Sequence, residues 1–164
     1  MDKHTLLTGY GLSQNLIAGN TGGVSHEESL SQPSKAGNCM NWIAGHLLDA
    51  RGIILGLLGG KPFLTAEESA LYKRGSAGIK PGVKAVRFER LTEGLATTAV
   101  QIAEKLQAAG QSFLDENLDL PNFPIPMQTK VRWAYLTLFL FHEGYHTGQL
   151  GISRRLLGKE SFVK

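Results

Sequence analysis

His142 and His146 stand four residues apart in Trp133–Gly158 (WAYLTLFLFHEGYHTGQLGISRRLLG), a stretch that reads as one long helix. At about 100° per residue the two imidazoles lie about 40° apart around the axis and one turn apart along it, so both can reach a single ion. Neutral imidazole suits Zn²⁺ or Ni²⁺, and a catalytic metal site commonly has three protein ligands and an open position. The third ligand must come from elsewhere. Of His4, His26 and His46, the last is best placed, because the helix that carries it must itself be buried beside the helix of the pair. The competing explanation is a set of core histidines that share a face, and each would then need its own hydrogen-bond partner. Asp49, three residues after His46, and Glu143 are expected to hold ring N–H groups from behind. Glu143 and Gln149 are the candidates for a catalytic role, and Gln149 and Ser153 could line a pocket on the metal face.

His142-Glu143-Gly144-Tyr145-His146 also spells H-E-x-x-H, in which zinc proteases use the glutamate as general base. The extended form of that motif needs a histidine where Ile152 stands. Only 18 residues follow His146, with Glu160 the sole carboxylate among them. Such enzymes also bind substrate along a strand, and no segment here has strand periodicity. The protease is therefore the weaker of the two readings.

Four helices must position these side chains. The first is expected over Asp2–Ala18, with Leu6, Tyr10, Leu16 and Ile17 at helical spacing; the Gly-, Ser- and Pro-rich Asn20–Lys35 reads as a connection in which His26 is solvated. The second runs from Asn38, a good N-cap, to Leu58 and stops at Gly59-Gly60. It carries only Asp49 and Arg51 as full charges, so nearly its whole cylinder should be covered. Residues 61–87 are irregular, broken by Gly75, Gly78, Pro81 and Gly82, with a short helix over Thr65–Arg74 announced by the Thr65/Glu68 capping pattern. A connection of this length is either a lid or wall over a site, or plain surface. The third helix presents Leu91, Leu95, Ala99, Ile102 and Leu106 as one stripe and ends at Gly110. Gln111–Gln128, with three prolines, is extended. The fourth helix spans Thr129–Gly158. Trp133–Phe141 within it is apolar almost all round, which predicts a partner face and hence a homodimer. The expected fold is all-α: one domain over 1–164, a four-helix bundle with a long crossover connection and a short extra helix.

Composition narrows the function classes. Seventeen Lys plus Arg against fourteen Asp plus Glu give a formal charge of +3, scattered rather than gathered on one face, so nucleic acid is not an expected partner. The longest apolar runs, about nine residues, fall short of the roughly 20 that span a bilayer, and the first residues lack signal-peptide character. Cys39 is the lone cysteine, read as a small buried thiol. These features predict a soluble cytoplasmic protein.

The segment N-W-x-x-G-H-L-x-D (Asn41–Asp49), followed much later by H-E-x-x-H-x-G-Q-L and Arg-Arg-x-Leu-Gly (His142–Gly158), resembles the DinB superfamily of metal-binding four-helix bundles, also called YfiT-like. The resemblance covers most of the chain in layout, and its specific motifs occupy about thirty residues. It implies that His46, His142 and His146 form a metal triad. It also implies a metal-dependent S-transferase that joins a low-molecular-weight thiol to an electrophile, in stress response or detoxification. A metal-dependent hydrolase of the same fold and a non-catalytic metal-binding dimer are the alternatives. No thiol-recognition motif is legible.

Overall fold

The structure is a computed structural model that describes residues 2–33, 37–80, 82–121 and 123–163. Lys35, the expected end of the first connection, and Pro81, an expected breaker, lie outside the described residues. Four long helices form the framework: α1 (Lys3–Thr21), α3 (Met40–Leu57), α5 (Phe88–Ala108) and α7 (Arg132–Leu156). Three short ones sit in the connections: α2 (His26–Ser29), α4 (Ala66–Tyr72) and α6 (Gln111–Leu114). Among the described residues there is no strand, only an isolated bridge between Asn117 and Val131. The all-helical bundle expected from periodicity is therefore what the chain forms, with three short helices among the described residues rather than one.

Around the bundle α1 packs on α5 and α7, and α3 packs on the same two. Contacts along the helices give their directions. Tyr10 donates to the Leu136 carbonyl and Asn20 to that of Thr147, so α1 and α7 run the same way. Asn41 reaches the Val86 carbonyl and Lys105 the Gly59 carbonyl, so α3 and α5 are parallel to each other. Arg132 at the start of α7 donates to the Leu57 carbonyl at the end of α3, and those two are antiparallel. Residues 58–87 must therefore travel back along the bundle to join two parallel helices. That segment is the long crossover, and α4 lies in it.

Local chemistry sets the ends. The α3 terminus closes on Gly59 at φ +73°, with Gly60 N–H bonded to the Leu55 carbonyl at 2.7 Å, the left-handed stop that only glycine adopts cheaply. Thr65 and Glu68 form the expected reciprocal cap at 3.2 and 3.0 Å, and Glu68 also pairs with Arg90 of α5. Some expected boundaries shift. Cys39 rather than Asn38 is the α3 N-cap. Helix α1 continues to Thr21. Helix α7 begins at Arg132 rather than Thr129, because the Lys130 carbonyl and Arg132 N–H are bonded to Leu118 and Glu116. His26 is not simply solvated: its Nδ1 accepts the Phe88 N–H at 3.2 Å, capping α5.

The apolar run of α7 is largely used within the chain. Ala134, Tyr135, Leu136 and Phe139 are buried, and Trp133 and Leu140 pack against the same core. Leu140 lies so close to Gly9 that a Cβ there would sit 2.3 Å from it. The exposed apolar side chains of α7 begin with Phe141, the last residue of that run, and continue with Tyr145, Ile152 and Leu156.

One buried polar layer crosses all four long helices. Arg51 of α3 is 1 % exposed and Glu143 of α7 is 0 % exposed. Arg51 Nε donates to Glu143 Oε1 at 2.7 Å and Nη2 to Oε2 at 3.2 Å. Arg51 Nη1 donates to Gln14 Oε1 of α1 and to the Leu95 carbonyl of α5, and Ser13 of α1 donates to Glu143 Oε2 at 2.5 Å. Removing one partner of such a pair leaves a buried charge uncompensated. Glu143→Ala is accordingly expected to cost about 3–5 kcal/mol in urea unfolding, while Arg51→Met with Glu143→Leu regains most of the loss. A Glu143→Ala protein as stable as the wild type would refute this role.

Candidate metal centre

Helices α3 and α7 face each other antiparallel, which brings residues far apart in the chain to one level. His46 of α3 meets His142 and His146 of α7: the Nε2 atoms of His46 and His146 each lie 3.1 Å from His142 Nε2. His46 and His146 are buried, and His142 is half-buried. The rings sit among aromatic side chains. Trp42 stacks on His46 with centroids 4.8 Å apart and planes 11° apart, and Phe139 and Tyr145 meet His142 and His146 edge-on. Tyr145 is 61 % exposed, so the cluster lies just beneath the surface on that side.

Ring partners determine where the protons sit. His46 Nδ1 lies 2.8 Å from the Tyr72 carbonyl oxygen, which can only accept, so Nδ1 carries a hydrogen and the neutral tautomer leaves Nε2 bare. His146 Nδ1 lies 2.7 Å from Gln149 Oε1 and donates to it, which leaves its Nε2 bare as well. Two lone pairs thus converge on His142 Nε2, and a single hydrogen there could serve only one of them. A cation at the convergence point accepts all three. Ligand nitrogens about 2.0–2.1 Å from a tetrahedral Zn²⁺ are about 3.3 Å from one another; the two spacings to His142 are close to that, and all three ligand atoms lie within 4.8 Å of one another. The three histidines therefore fit a divalent metal ion and can hold one.

Electrostatics agree with that chemistry. Burial, then the neighbouring His146 and His46, hold His142 down at about 4. Burial also lowers His146, partly offset by its bond to Gln149. Both are neutral at pH 7 and keep their lone pairs available. Support from behind is unequal. His46 and His146 each have an acceptor at Nδ1, whereas His142 Nδ1 is buried without a hydrogen-bond partner among the described residues.

The other expected site residues are placed differently. Glu143, expected to hold a ring N–H or act as a base, is committed to Arg51 and Ser13 and has no hydrogen bond to an imidazole. Asp49 accepts from Ser69 at 2.5 Å rather than from His46; the backbone of Tyr72 takes the place assigned to it. Gln149 does join the site, as the partner of His146. Ser153 is buried on the same helix. Tyr72, the residue missed, acts through its backbone, for which no side-chain motif exists. Two clefts, of about 530 Å³ beside Phe63 and Lys105 and about 270 Å³ between α1 and α5, are not lined by any of the three histidines.

The bundle belongs to the all-helical class with a possible metal site at its helix interface. A solved crystal structure described as that of a conserved protein of locus from Enterococcus faecalis superposes with a TM-score of 0.67 over 97 % of this chain and 99 % of the other, at 17 % identity. At that identity the likeness speaks to the fold alone. No protein-family model matches the chain, and no curated protein does.

Metal-free protein is expected to lose stability as pH falls. Between the ordinary histidine range near 6.5 and about 4, the unfolded chain binds protons that folded His142 refuses, so each step down in pH favours unfolding. Above that window the contribution is constant. Thermal melts with chelator present should show the decline, and His142→Gln should make it shallower. An unchanged slope in the variant would contradict the assignment.

Proposed function

We propose that the protein is a DinB-like metal-dependent S-transferase in which His46, His142 and His146 hold a divalent ion, Zn²⁺ or Ni²⁺, and a low-molecular-weight thiol is joined to an electrophile. The observation that carries the metal reading is the convergence of three imidazole Nε2 atoms whose outer nitrogens are, in two cases, already fixed as donors. When bound, an ion held by three neutral ligands keeps its double positive charge, and it would lower the pKa of a thiol brought to it.

The chain's own residues favour a thiol over water as nucleophile. Water attack is helped by a general base, and the nearest carboxylates in sequence are both engaged: Glu143 by Arg51 and Asp49 by Ser69. A thiol, once ionised, needs no base. Of the aromatic rings packed on the histidines, Trp42 and Phe139 are buried and Tyr145 is exposed, so Tyr145 is the one that can meet the body of an electrophile. The test uses metal-loaded protein, a panel of small thiols and a chromogenic electrophile. Thiol-dependent turnover is expected, lost in His46→Ala and His142→Ala together with bound metal measured by elemental analysis. Ester or amide turnover without thiol would favour the hydrolase, and full metal occupancy in His142→Ala would overturn the triad.

The homodimer expected from the apolarity of α7 enters this reading on a different surface. Phe141, Tyr145, Ile152 and Leu156 recur at spacings that keep them on one side of the helix, and all four are exposed. Equilibrium sedimentation should report a dimer that Phe141→Lys with Ile152→Lys converts to monomer while metal binding is retained; a monomeric wild type would rule the dimer out.

A further inference from the structure

We infer that Tyr72 is the positioning residue of the metal centre, and that Asn41, Trp42 and Gly45 are present to seat the crossover segment that carries it. This rests on the three-histidine metal reading. Tyr72 is the last residue of α4, so its carbonyl is one of those a helix end leaves without an intrahelical donor. His46 Nδ1–H supplies the donor at 2.8 Å. The bond fixes both the tautomer and the ring orientation of His46, and it turns the bare Nε2 toward His142.

A backbone carbonyl is aimed only as well as its residue is held, and Tyr72 is held on every side. Its ring is fully buried against α3 at Gly45, where a Cβ would come within 2.3 Å of Tyr72 Cδ1. Its hydroxyl donates to Asn41 Oδ1 at 2.9 Å and accepts the Val86 N–H at 2.9 Å, while Asn41 Nδ2 donates to the Val86 carbonyl at 3.0 Å. Burial pushes that hydroxyl up to about 12, so it remains a donor. Four residues further on, Ser76 accepts from Trp42 Nε1 at 2.9 Å, and Trp42 is the ring stacked on His46. Three residues earlier, Ser69 is bonded to Asp49. The segment is thus pinned to α3 before, at and after the carbonyl. Each residue of Asn41-Trp42-x-x-Gly45-His46 other than the spacers makes at least one contact with the crossover segment.

A purely structural role for Tyr72 predicts a different result, which allows a decision. Co²⁺ affinity is measured by chelator competition, with the visible spectrum of the bound ion as a second readout. Gly45→Ala displaces the ring, and Tyr72→Phe keeps the ring but frees its end. Gly94→Ala is the matched control, because a Cβ there would sit 2.6 Å from Leu48 and 2.7 Å from Phe63, and its three nearest atoms include none of Tyr72 or of a histidine. Gly45→Ala is expected to weaken Co²⁺ binding 10- to 100-fold and to alter the spectrum, with a smaller loss in Tyr72→Phe. Gly94→Ala lowers the melting temperature and leaves affinity within about threefold. Equal affinity in wild type and folded Gly45→Ala overturns the inference. Should the variant not fold, nitrogen-15 histidine spectra of metal-free wild type decide: the hydrogen is expected on His46 Nδ1, and finding it on Nε2 overturns the inference. Failure of wild type to bind Co²⁺ at all would instead remove the metal reading, whatever the tautomer.

Discussion

The ion pair between Arg51 and Glu143 is the constraint on which the rest of the bundle depends. Apolar packing between two helices tolerates small slides, because one leucine substitutes for the next along a ridge. A buried guanidinium does not, since it must find its carboxylate at one axial level or remain unpaired in a low-dielectric interior. Arg51 meets Glu143 of α7, Gln14 of α1 and the Leu95 carbonyl of α5, so one side chain fixes the level of three neighbours. His46 lies five residues before Arg51, about 7.5 Å along α3, and His146 three residues after Glu143, about 4.5 Å along the antiparallel α7. A slip of one turn, about 5.4 Å, would part the imidazoles beyond the reach of a shared ion. The charged layer therefore sets the register, and the neutral histidine layer uses it.

Much of this was legible from residue types and spacing. Helical periodicity located the four long helices, and the Gly59-Gly60 stop and the Thr65/Glu68 box marked ends where they fall, whereas α5 ends at Ala108 and Gly110, expected to close it, is the N-cap of α6. Boundaries moved where tertiary bonds competed with local preference, as at residues 129–131, whose backbone pairs with 116–118 instead of opening α7. His142 and His146 were recognisable from helical spacing alone. His46 could be chosen over His4 and His26 because its helix has almost no charge and must be buried.

Glu143 shows where such reading fails and how it could have succeeded. It is one residue from His142 and three from His146, so helix geometry puts it 100° from one and 60° from the other, and neither angle decides which way it faces. The deciding fact lay in another segment. Arg51 is the only cation on α3, and Glu143 is the only carboxylate on α7. Arg132, Arg154 and Arg155 stand at the ends of α7, so the mid-helix carboxylate Glu143 and the cation of the covered α3 are natural partners, and matching them would have removed Glu143 from the metal face. Tyr72 had no comparable signal. What it gives His46 is a peptide oxygen, the same for every residue type, and only the close approach at Gly45 betrays that something large is seated there.

The two layers also exclude each other's chemistry. For Glu143 to serve as a base in the H-E-x-x-H manner, its carboxylate would have to turn from Arg51 toward the histidines. That would leave Arg51 buried without an anion, at a cost of about 3–5 kcal/mol, a large part of what a domain of this size has as net stability. It would also strand the Ser13 hydroxyl, whose acceptor is the same carboxylate. The fold holds Glu143 where it is for as long as the protein is folded. A sequence pattern that in another architecture supplies both metal ligands and base supplies here two candidate ligands and a structural anchor. The site is left with three imidazoles, aromatic neighbours and no free carboxylate among their hydrogen-bond partners. Such a set of groups leaves the charge of a bound ion undiminished and suits a nucleophile that becomes reactive on losing a proton to solvent.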